Sequence, residues 1–232
     1  MIDIHSHILP GLDDGAADLD TALAMARMAV ADGIIGMIAT PHISHDSALA
    51  REEIARQVAA LNAALAEQGI SLAIYAGAEV PLGHELAGSS YLLHNGPYIL
   101  VEFPHSHIPG NAAEQLFALR CAGLIPIIAH PERNGEVLRE PERLVELVAA
   151  GALSQLTAES LTGELGSQVQ QCSHYLLRKK LGHFLATDCH SLRFRRPKIK
   201  KALKIARRLL GKDPAQRLVG ANPEAVINGT PL

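Results

Sequence analysis

Residues 1–42 read MIDIHSHILPGLDDGAADLDTALAMARMAVADGIIGMIATPH, and this stretch determines the fold class. It begins with an apolar run at 1–4, continues with a helical pattern at 18–32 that ends at Gly33, and returns to an apolar run at 34–39. Short runs rich in Ile, Val and Leu are typical of parallel strands covered on both faces, and glycine commonly ends a helix. The stretch therefore predicts a βαβ unit.

The same alternation continues along the rest of the chain. Further strands are predicted at 72–76, 98–101, 125–129, 153–156 and 184–187, and further helices at 50–68, 112–122, 141–150, 166–181 and 198–210. Parallel βα units follow from this order, and about seven units in 232 residues favour a barrel over an open sheet. Periodicity alone does not decide whether the sheet closes. No repeat or linker divides the chain, so we predict a single domain over residues 1–232.

The composition argues against several classes of partner. Aromatic residues make up 3% of the chain and Trp is absent, which disfavours stacking on single-stranded nucleic acid. The net charge of −3 does not favour coating of DNA or of an anionic membrane, and no apolar run reaches the roughly 18 residues of a membrane span. Cys121, Cys172 and Cys189 are an odd number without CxxC spacing, which predicts a reducing cytoplasm.

Histidines and carboxylates follow almost every predicted strand. His5 and His7 stand at i and i+2, so that their side chains share one face at the end of the first strand. The other candidates at or after strand ends are Asp14, His42, Glu79, Glu102, His130, Asp188 and His190. One such histidine is more often a hydrogen-bonded structural residue than a ligand. Nine histidines and carboxylates at successive strand ends are harder to explain as separate structural residues.

A site for divalent metal ions accounts for these nine residues. Strand ends converge on one rim of a βα barrel, where unpaired carboxylates would repel one another unless cations lie between them. Mixed imidazole and carboxylate ligands suit Mn, Fe or Zn, and a structural zinc site would normally contain a Cys cluster. Two or three ions against four carboxylates leave a charge of zero to about +2, which favours an anionic substrate such as a phosphate ester. Such ions polarise a phosphoryl group and lower the pKa of a bound water.

Several motifs resemble those of one known superfamily, in order along nearly the whole chain. They are MIDIHSHILPGLDDGA at 1–16, IATPH at 38–42, VEFP at 101–104, PIIAHPERN at 126–134, LTAESLTGELG at 156–166, HFLATDCHS at 183–191 and NPEAVINGTP at 222–231. The chain resembles the PHP (polymerase and histidinol phosphatase) superfamily and, within it, the metal-dependent protein tyrosine phosphatases of bacterial capsule and exopolysaccharide operons. Histidinol phosphatases of the superfamily often have His at the position of Glu102, so this residue favours the tyrosine phosphatase branch.

The resemblance implies an α/β fold, a distorted (β/α)7 TIM-like barrel, and a site for three ions, with Mn first and Fe or Zn as alternatives. One ion would be held by His5, His7, Glu79 and Asp188. Glu79 would bridge to a second ion bound by Glu102 and His130, and the third would be held by Asp14, His42 and His190.

The implied substrate is phosphotyrosine on the tail of a bacterial tyrosine kinase that controls polysaccharide export. Arg133 is expected to bind the phosphate, and His42 is a candidate proton donor as well as a ligand. Of Arg193, Arg195 and Arg196, which follow His190, Arg196 is the favoured candidate for substrate contact, and a solvated helix start is the alternative interpretation of this run. Two alternatives stay open: a phosphoesterase for small esters, as in histidinol phosphatases, and a kinase-binding regulator without turnover. A role in nucleic-acid processing is disfavoured by the acidic composition.

Two charged surfaces have more than one interpretation. The Arg27 face of the first helix is either solvated or a subunit contact, which leaves a homo-oligomer open. A basic helix face near the C-terminus is usually only a solvated surface, but an acidic, phosphorylated kinase tail is a second interpretation. It consists of Lys198, Lys200, Lys201, Lys204, Arg207 and Arg208.

Overall fold

The computed structural model describes residues 1–43, 49–84 and 91–232. Eight short strands occur in these ranges: β1 Ile2–Ser6, β2 Gly36–Ala39, β3 Ala73–Ala76, β4 Glu79–Pro81, β5 Tyr98–Glu102, β6 Ile125–Ala129, β7 Leu153–Thr157 and β8 Phe184–Ala186. All seven predicted strands are present, with bounds that differ by at most two residues. Only β4 was not predicted, because three residues that include a proline show no strand periodicity.

Ten α-helices connect and follow these strands in the described ranges. They are α1 Leu19–Asp32, α2 Arg51–Glu67, α3 Ala112–Cys121, α4 Gly135–Arg139, α5 Arg143–Ala149, α6 Ala158–Thr162, α7 Ser167–Arg178, α8 Lys200–Leu210, α9 Lys212–Arg217 and α10 Ala221–Asn228. The six predicted helices correspond to α1, α2, α3, α5, α7 and α8. The other four have eight residues or fewer, too short for a clear apolar stripe. None of the helices in the described ranges has the length and apolar character needed to cross a bilayer.

The strands form two parallel sheets, in the orders β1-β2-β3 and β4-β5-β6-β7-β8. Isolated parallel bridges join the sheets at two places, between Ser6 and Cys189 and between His42 and Glu79. β3 and β4 are separated only by Gly77 and Ala78, so they occupy the place of one broken third strand. The α/β class and the parallel order agree with the prediction. The closed seven-stranded barrel stays a prediction, because strand pairing between the two sheets is limited to these bridges in the described residues.

An inner core lies between the two sheets. It includes Ile4 of β1, Ile38 of β2, Leu100 of β5, Ile127 of β6 and Phe184 of β8, all fully buried. A larger apolar cluster fills the space between the strands and the surrounding helices. Because all the strands are parallel, their carboxyl ends point the same way, and the side chains that follow them can meet above the inner core.

Candidate metal centre

The structure brings all nine predicted ligands together at the carboxyl ends of the strands. Their donor atoms form four overlapping groups, and within each group the atoms lie within 4.8 Å of one another. Seven of the side chains are buried or largely buried, whereas His42 is 36% exposed and Asp14 is 61% exposed. The site is therefore closed at its base and open towards solvent on the side of His42 and Asp14.

The Nε2 atoms of His5 and His7 both lie close to Glu79 and to Asp188, and we refer to these four residues as the tightest group. The Nε2 atom of His5 lies 3.2 Å from Nε2 of His7, 3.3 Å from Oε2 of Glu79 and 3.4 Å from Oδ1 of Asp188. The Nε2 atom of His7 lies 3.6 Å from Oε2 of Glu79 and 3.4 Å from Oδ1 of Asp188. Ligands about 2.1 Å from a shared ion in a tetrahedral arrangement are about 3.4 Å apart, so these spacings suit a bound divalent cation.

Two further groups adjoin the first. His130 Nε2 lies 3.0 Å from Glu79 Oε1 and 3.7 Å from Glu102 Oε1. Asp14 Oδ1 lies 3.2 Å from His190 Nε2 and 3.7 Å from His42 Nε2. His42 also places Nδ1 3.1 Å from Glu79 Oε2, so its ring stands between the two groups.

Hydrogen bonds to the far side of each ring orient three of the histidines. His5 Nδ1 lies 2.8 Å from Gln155 Oε1, His7 Nδ1 lies 2.6 Å from Asp13 Oδ2, and His190 Nδ1 lies 2.9 Å from the carbonyl oxygen of Asp188. In each case Nδ1–H donates to an oxygen, which leaves the lone pair of Nε2 directed into the site. This arrangement is common for metal-binding imidazoles.

Asp13 and Gln155 were not predicted as site residues. Asp13 accepts hydrogen bonds from the backbone N–H groups of Gly15 and His42 as well as from His7. Gln155, on β7, accepts from the ring of His5 and from the backbone N–H of His130. The adjacent pair Asp13–Asp14 in the sequence was a signal for the first, but nothing in the local sequence pointed to Gln155.

The loop after β1 passes unusually close to His7. A Cβ atom added to Gly15 would lie 2.0 Å from the carbonyl oxygen of His7 and 2.5 Å from its Cβ. Only glycine permits this approach, which brings Asp13 within hydrogen-bond distance of the His7 ring.

Backbone strain also concentrates at the site. His130, Asp188 and Arg195 have φ values of 32°, 50° and 46°, in the left-handed region that residues with a side chain seldom adopt. Such strain persists only where the surrounding structure enforces it, and it commonly marks functional positions.

The carboxylates and imidazoles of the cluster perturb one another strongly. Burial alone would lower the pKa of His5 and of His7. Glu79 and Asp188 outweigh it at His5, and Asp13, followed by Asp188 and Glu79, outweighs it at His7, so both pKa values are raised. Burial alone would raise the pKa of Glu79, yet the neighbouring histidines hold it well below its usual range. Burial, and then the charge of Glu79, raise the pKa of Glu102 to about 7. A cluster that needs protons on its imidazoles to balance its carboxylates is one in which divalent cations can take the place of those protons.

Two buried atoms indicate that the protein alone does not satisfy the site. Glu79 Oε2 and His190 Nε2 are buried but make no hydrogen bond of acceptable geometry with any described residue. Buried polar atoms without partners are uncommon in proteins, and both of these lie among the candidate ligands. The residues present therefore fit a group of divalent ions.

Arg133, Arg195 and Arg196 differ in the carboxylates that their guanidinium groups contact. Arg133 donates to Asp188 Oδ2, and Arg195 Nη1 lies 3.2 Å from the same oxygen. Arg196, the predicted substrate contact, instead donates through Nε to Glu159 Oε1 at 3.0 Å and pairs with Glu164. The structure thus places Arg133 and Arg195 at the ligands and turns Arg196 away towards two other carboxylates.

Fold and site together define an α/β protein of parallel strands with a cluster of imidazole and carboxylate side chains that is suited to several divalent ions. The chain belongs to the family described as capsular polysaccharide synthesis, CpsB/CapC, whose family model matches residues 1–228. This membership confirms the resemblance that the motifs predicted.

Similar sequences and structures support this family assignment. Tyrosine-protein phosphatase YwqE of Bacillus subtilis (strain 168) is 41% identical over 221 residues, which are 92% of this chain and 86% of the relative. A solved structure described as that of YwqE from Bacillus subtilis and CpsB from Streptococcus pneumoniae, unique metal-dependent tyrosine phosphatases, is similar with a TM-score of 0.95 and 36% identity. It covers 100% of this chain and 96% of that chain. Histidinol phosphate phosphatase from Lactococcus lactis, with a TM-score of 0.54 and 15% identity over 91% of this chain and 94% of its own, shares the fold alone.

Proposed function

We propose that this chain is a metal-dependent protein-tyrosine phosphatase that hydrolyses phosphotyrosine on a protein substrate. The observation that carries the proposal is the close approach of four side chains. The Nε2 atoms of His5 and His7 lie 3.2–3.6 Å from each other and from carboxylate oxygens of Glu79 and Asp188. The relationship to proteins named tyrosine-protein phosphatases supports the choice of reaction and of substrate.

We assign the nine ligands to three ions as the resemblance implied, with manganese first and iron or zinc as alternatives. The proposed sets are His5, His7, Glu79 and Asp188; Glu79, Glu102 and His130; and Asp14, His42 and His190. The close groups of donor atoms in the structure overlap these sets without matching them: His7 with Asp14, His42 and His190; His5 with Glu79 and His130; His5 with His7 and Asp188; and His42 with Glu79 and Glu102. When bound, such ions supply charge stabilisation to the phosphoryl group and a nucleophile at neutral pH.

The residues of the chain then bind and orient the substrate. Arg133 and Arg195 converge on Asp188, so a phosphate dianion at this position would receive N–H groups from both guanidinium groups. In the reaction, the oxygen of a water molecule forms a bond to phosphorus while the bond from phosphorus to the tyrosyl oxygen breaks. Tyrosinate then takes up a proton, for which its pKa of about 10 is favourable.

His42 is better suited to binding an ion than to donating that proton. Its Nδ1 faces Glu79 and its Nε2 faces Asp14, so both ring nitrogens are directed at other ligands. A weak requirement for a general acid agrees with a phenolic leaving group.

Replacement of the two neighbouring arginines should have unequal effects. We expect Arg195→Ala to lower kcat/KM by about 10²–10³-fold, as the loss of one charged donor to a developing oxyanion does. Arg196→Ala, the matched control, should lower it far less, because Arg196 binds Glu159 and Glu164. Steady-state kinetics with a phosphotyrosine peptide measure both. A larger effect at Arg196 would restore it as the substrate contact.

Thiol reagents should leave the activity intact. Cys121 is exposed, whereas Cys172 and Cys189 are buried. Burial, with a contribution from Glu132, raises the pKa of the Cys172 thiol to about 12, and burial raises that of Cys189 well above its usual range. Iodoacetamide is therefore expected to label Cys121 alone without loss of kcat/KM, as read by peptide mass mapping and an assay of the same sample. Inactivation in step with labelling of Cys172 or Cys189 would instead support a thiol mechanism.

We further propose the biological setting that the resemblance implies. The substrate is the tail of a bacterial tyrosine kinase that controls capsule or exopolysaccharide synthesis, and the family description concerns capsular polysaccharide synthesis. We place the protein in the cytoplasm as a single domain over residues 1–232, with its two sheets forming one distorted (β/α)7 barrel, and we leave a homo-oligomer open.

Metal content and activity, measured on one preparation, test the proposal. We expect two to three divalent ions per chain, turnover of a phosphotyrosyl peptide, slower turnover of histidinol phosphate, and loss of activity in chelator that Mn²⁺ restores. Full activity in chelator would exclude a metal mechanism. Faster turnover of histidinol phosphate would favour the phosphoesterase for small esters.

A further inference from the structure

One segment of the chain carries most of its positive charge. Residues 193–217 contain eleven of the 21 lysines and arginines but only one of the 24 acidic residues. This segment therefore has ten net positive charges, while the remaining residues have thirteen net negative charges, which together give the overall −3. Such an asymmetry creates a positive electrostatic potential near residues 193–217, although the net charge of the whole chain is small and negative.

Most of these cations are exposed and unpaired. Arg195, Arg196 and Lys201 form ion pairs with Asp188, Glu159 and Glu164. Eight others are exposed and form no ion pair within the described ranges. Of these, Arg207 donates a hydrogen bond to Gln216, and Arg217 lies at the end of α9. We refer to the other six as the basic band: Arg193, Lys198, Lys200, Lys204, Arg208 and Lys212.

The cations in the first half of α8, Lys200 and Lys204, are not explained by helix stability, whereas Arg208 in the last turn lies where the helix dipole favours a cation. The first turn of this helix has no acidic residue but begins with Lys200 and Lys201, where the helix dipole disfavours cations. Lys204 is four residues from both Lys200 and Arg208, and like charges at this spacing destabilise a helix. Asp32 fixes the beginning of α8 by accepting hydrogen bonds from the backbone N–H groups of Ile199 and Lys200 at 2.6 Å and 2.8 Å.

The basic band begins at the metal centre. The N–H of His190, a candidate ligand, donates to the carbonyl oxygen of Arg195 at 2.9 Å, which closes the loop that carries Arg193. The chain then passes through Lys198 into α8, whose eleven residues extend over about 16 Å. That length equals about five residues of extended peptide.

We propose that the basic band binds an acidic segment of the phosphoprotein substrate, adjacent to the phosphotyrosine. This inference rests on the proposed function and extends it to a substrate class, namely phosphotyrosine flanked by about five residues rich in Asp and Glu. Charge complementarity and continuity with the site support this occupant.

A membrane surface fits the same observations less well. The apolar face of α8, with Ala202, Leu203 and Ala206, is buried in the fold, so the helix cannot insert into a bilayer. The exposed apolar side chains beside the basic band are Phe194 and Leu192, which are 78% and 37% exposed.

Charge reversal with a matched control tests the inference. The variant is Lys200→Glu with Lys204→Glu. The change at Lys200 places an anion in the first turn of α8, where the helix dipole favours it, and the change at Lys204 places an anion four residues before Arg208. The control is Arg178→Glu with Lys179→Glu, which makes the same change in charge at exposed positions near the end of α7, on the chain before β8. Each protein is assayed with a phosphotyrosyl peptide with acidic flanks, the same peptide with Ser and Gly flanks, and p-nitrophenyl phosphate.

We expect the unaltered protein to prefer the acidic peptide by at least about tenfold in kcat/KM at low salt, through KM, and to lose the preference at high salt. The variant should lose this preference but keep its rate with p-nitrophenyl phosphate, and the control should keep both. An equal preference in variant and control would overturn the inference. So would binding to anionic lipid vesicles that depends on Lys200 and Lys204 while the peptide preference is unchanged.

Failure of the inference is distinguishable from failure of the proposed function. If the unaltered protein hydrolysed neither peptide, the phosphatase proposal would fail, and the inference would be judged by fluorescence anisotropy of the labelled acidic peptide. Binding that the charge reversal weakens would then support the basic band, and equal binding by all three proteins would reject it.

Discussion

Replacement of Glu79 by glutamine is expected to lower kcat/KM towards a phosphotyrosine peptide by roughly a thousandfold or more, which corresponds to the several kcal/mol that bound ions contribute. Glu79 has this importance because each of its two carboxylate oxygens faces nitrogen atoms of other candidate ligands. Oε1 lies 3.0 Å from His130 Nε2, and Oε2 lies 3.3 Å from His5 Nε2 and 3.1 Å from His42 Nδ1.

Glutamine retains the size of the side chain but removes its charge. Its amide would place an N–H donor where an oxygen now faces imidazole nitrogens, so two of the proposed ion sites would lose a ligand together. Metal content should fall with activity, as measured by elemental analysis of the purified variant. Glu67→Gln, at an exposed position of α2, is the matched control and should change neither quantity. Retention of both metal and activity in Glu79→Gln would reject the assignment of Glu79 as a shared ligand.

The general plan of the fold could be predicted from the sequence because its elements have clear local signals. The runs that became β1, β2 and β6 are apolar and short, and α1 has a capping Asp18 and a terminal Gly33 in the left-handed conformation. The break between β3 and β4 has no such signal. It depends on Gly77, where a Cβ atom would lie 2.7 Å from Ile38 of the neighbouring strand, a contact that exists only in the folded chain.

The candidate ligands were predictable for a related reason. A side chain that follows a parallel strand is placed at the rim by the strand itself, so the position of His130 or Glu102 depends little on distant residues. The resemblance then supplied the grouping into three ions, with which the distances around Asp14 and Glu102 are compatible.

The supporting residues depend on partners that are far apart in sequence. Arg195 and Arg196 are adjacent and chemically identical, and Glu159 accepts the backbone N–H groups of both at 2.9 Å and 3.1 Å. Their side chains then separate, because Arg195 pairs with Asp188 and Arg196 pairs with Glu159 and Glu164. Gln155 contacts His5 across 150 residues. No local pattern encodes such a pairing, because it arises when separate βα units pack side by side.

Replacement of both His5 and His7 by alanine is expected to remove activity about as completely as either single replacement, because groups that act as a unit are not additive. Each ring contributes an Nε2 atom to the tightest group, and the two atoms are 3.2 Å apart. The matched control is His107→Ala with His174→Ala, two histidines that contribute to none of the four ligand groups. Kinetics and metal content should separate the two double variants clearly.

The same double variant distinguishes an enzyme from a binding regulator. His5 and His7 are buried, so their loss should leave the outer surface, including the basic band, able to bind a protein partner. If turnover is the function, the inactive protein will bind a phosphorylated partner but will not restore polysaccharide production in a strain that lacks the native protein. Restoration by this variant, at a normal protein level, would show that binding suffices and that the metal centre serves another purpose.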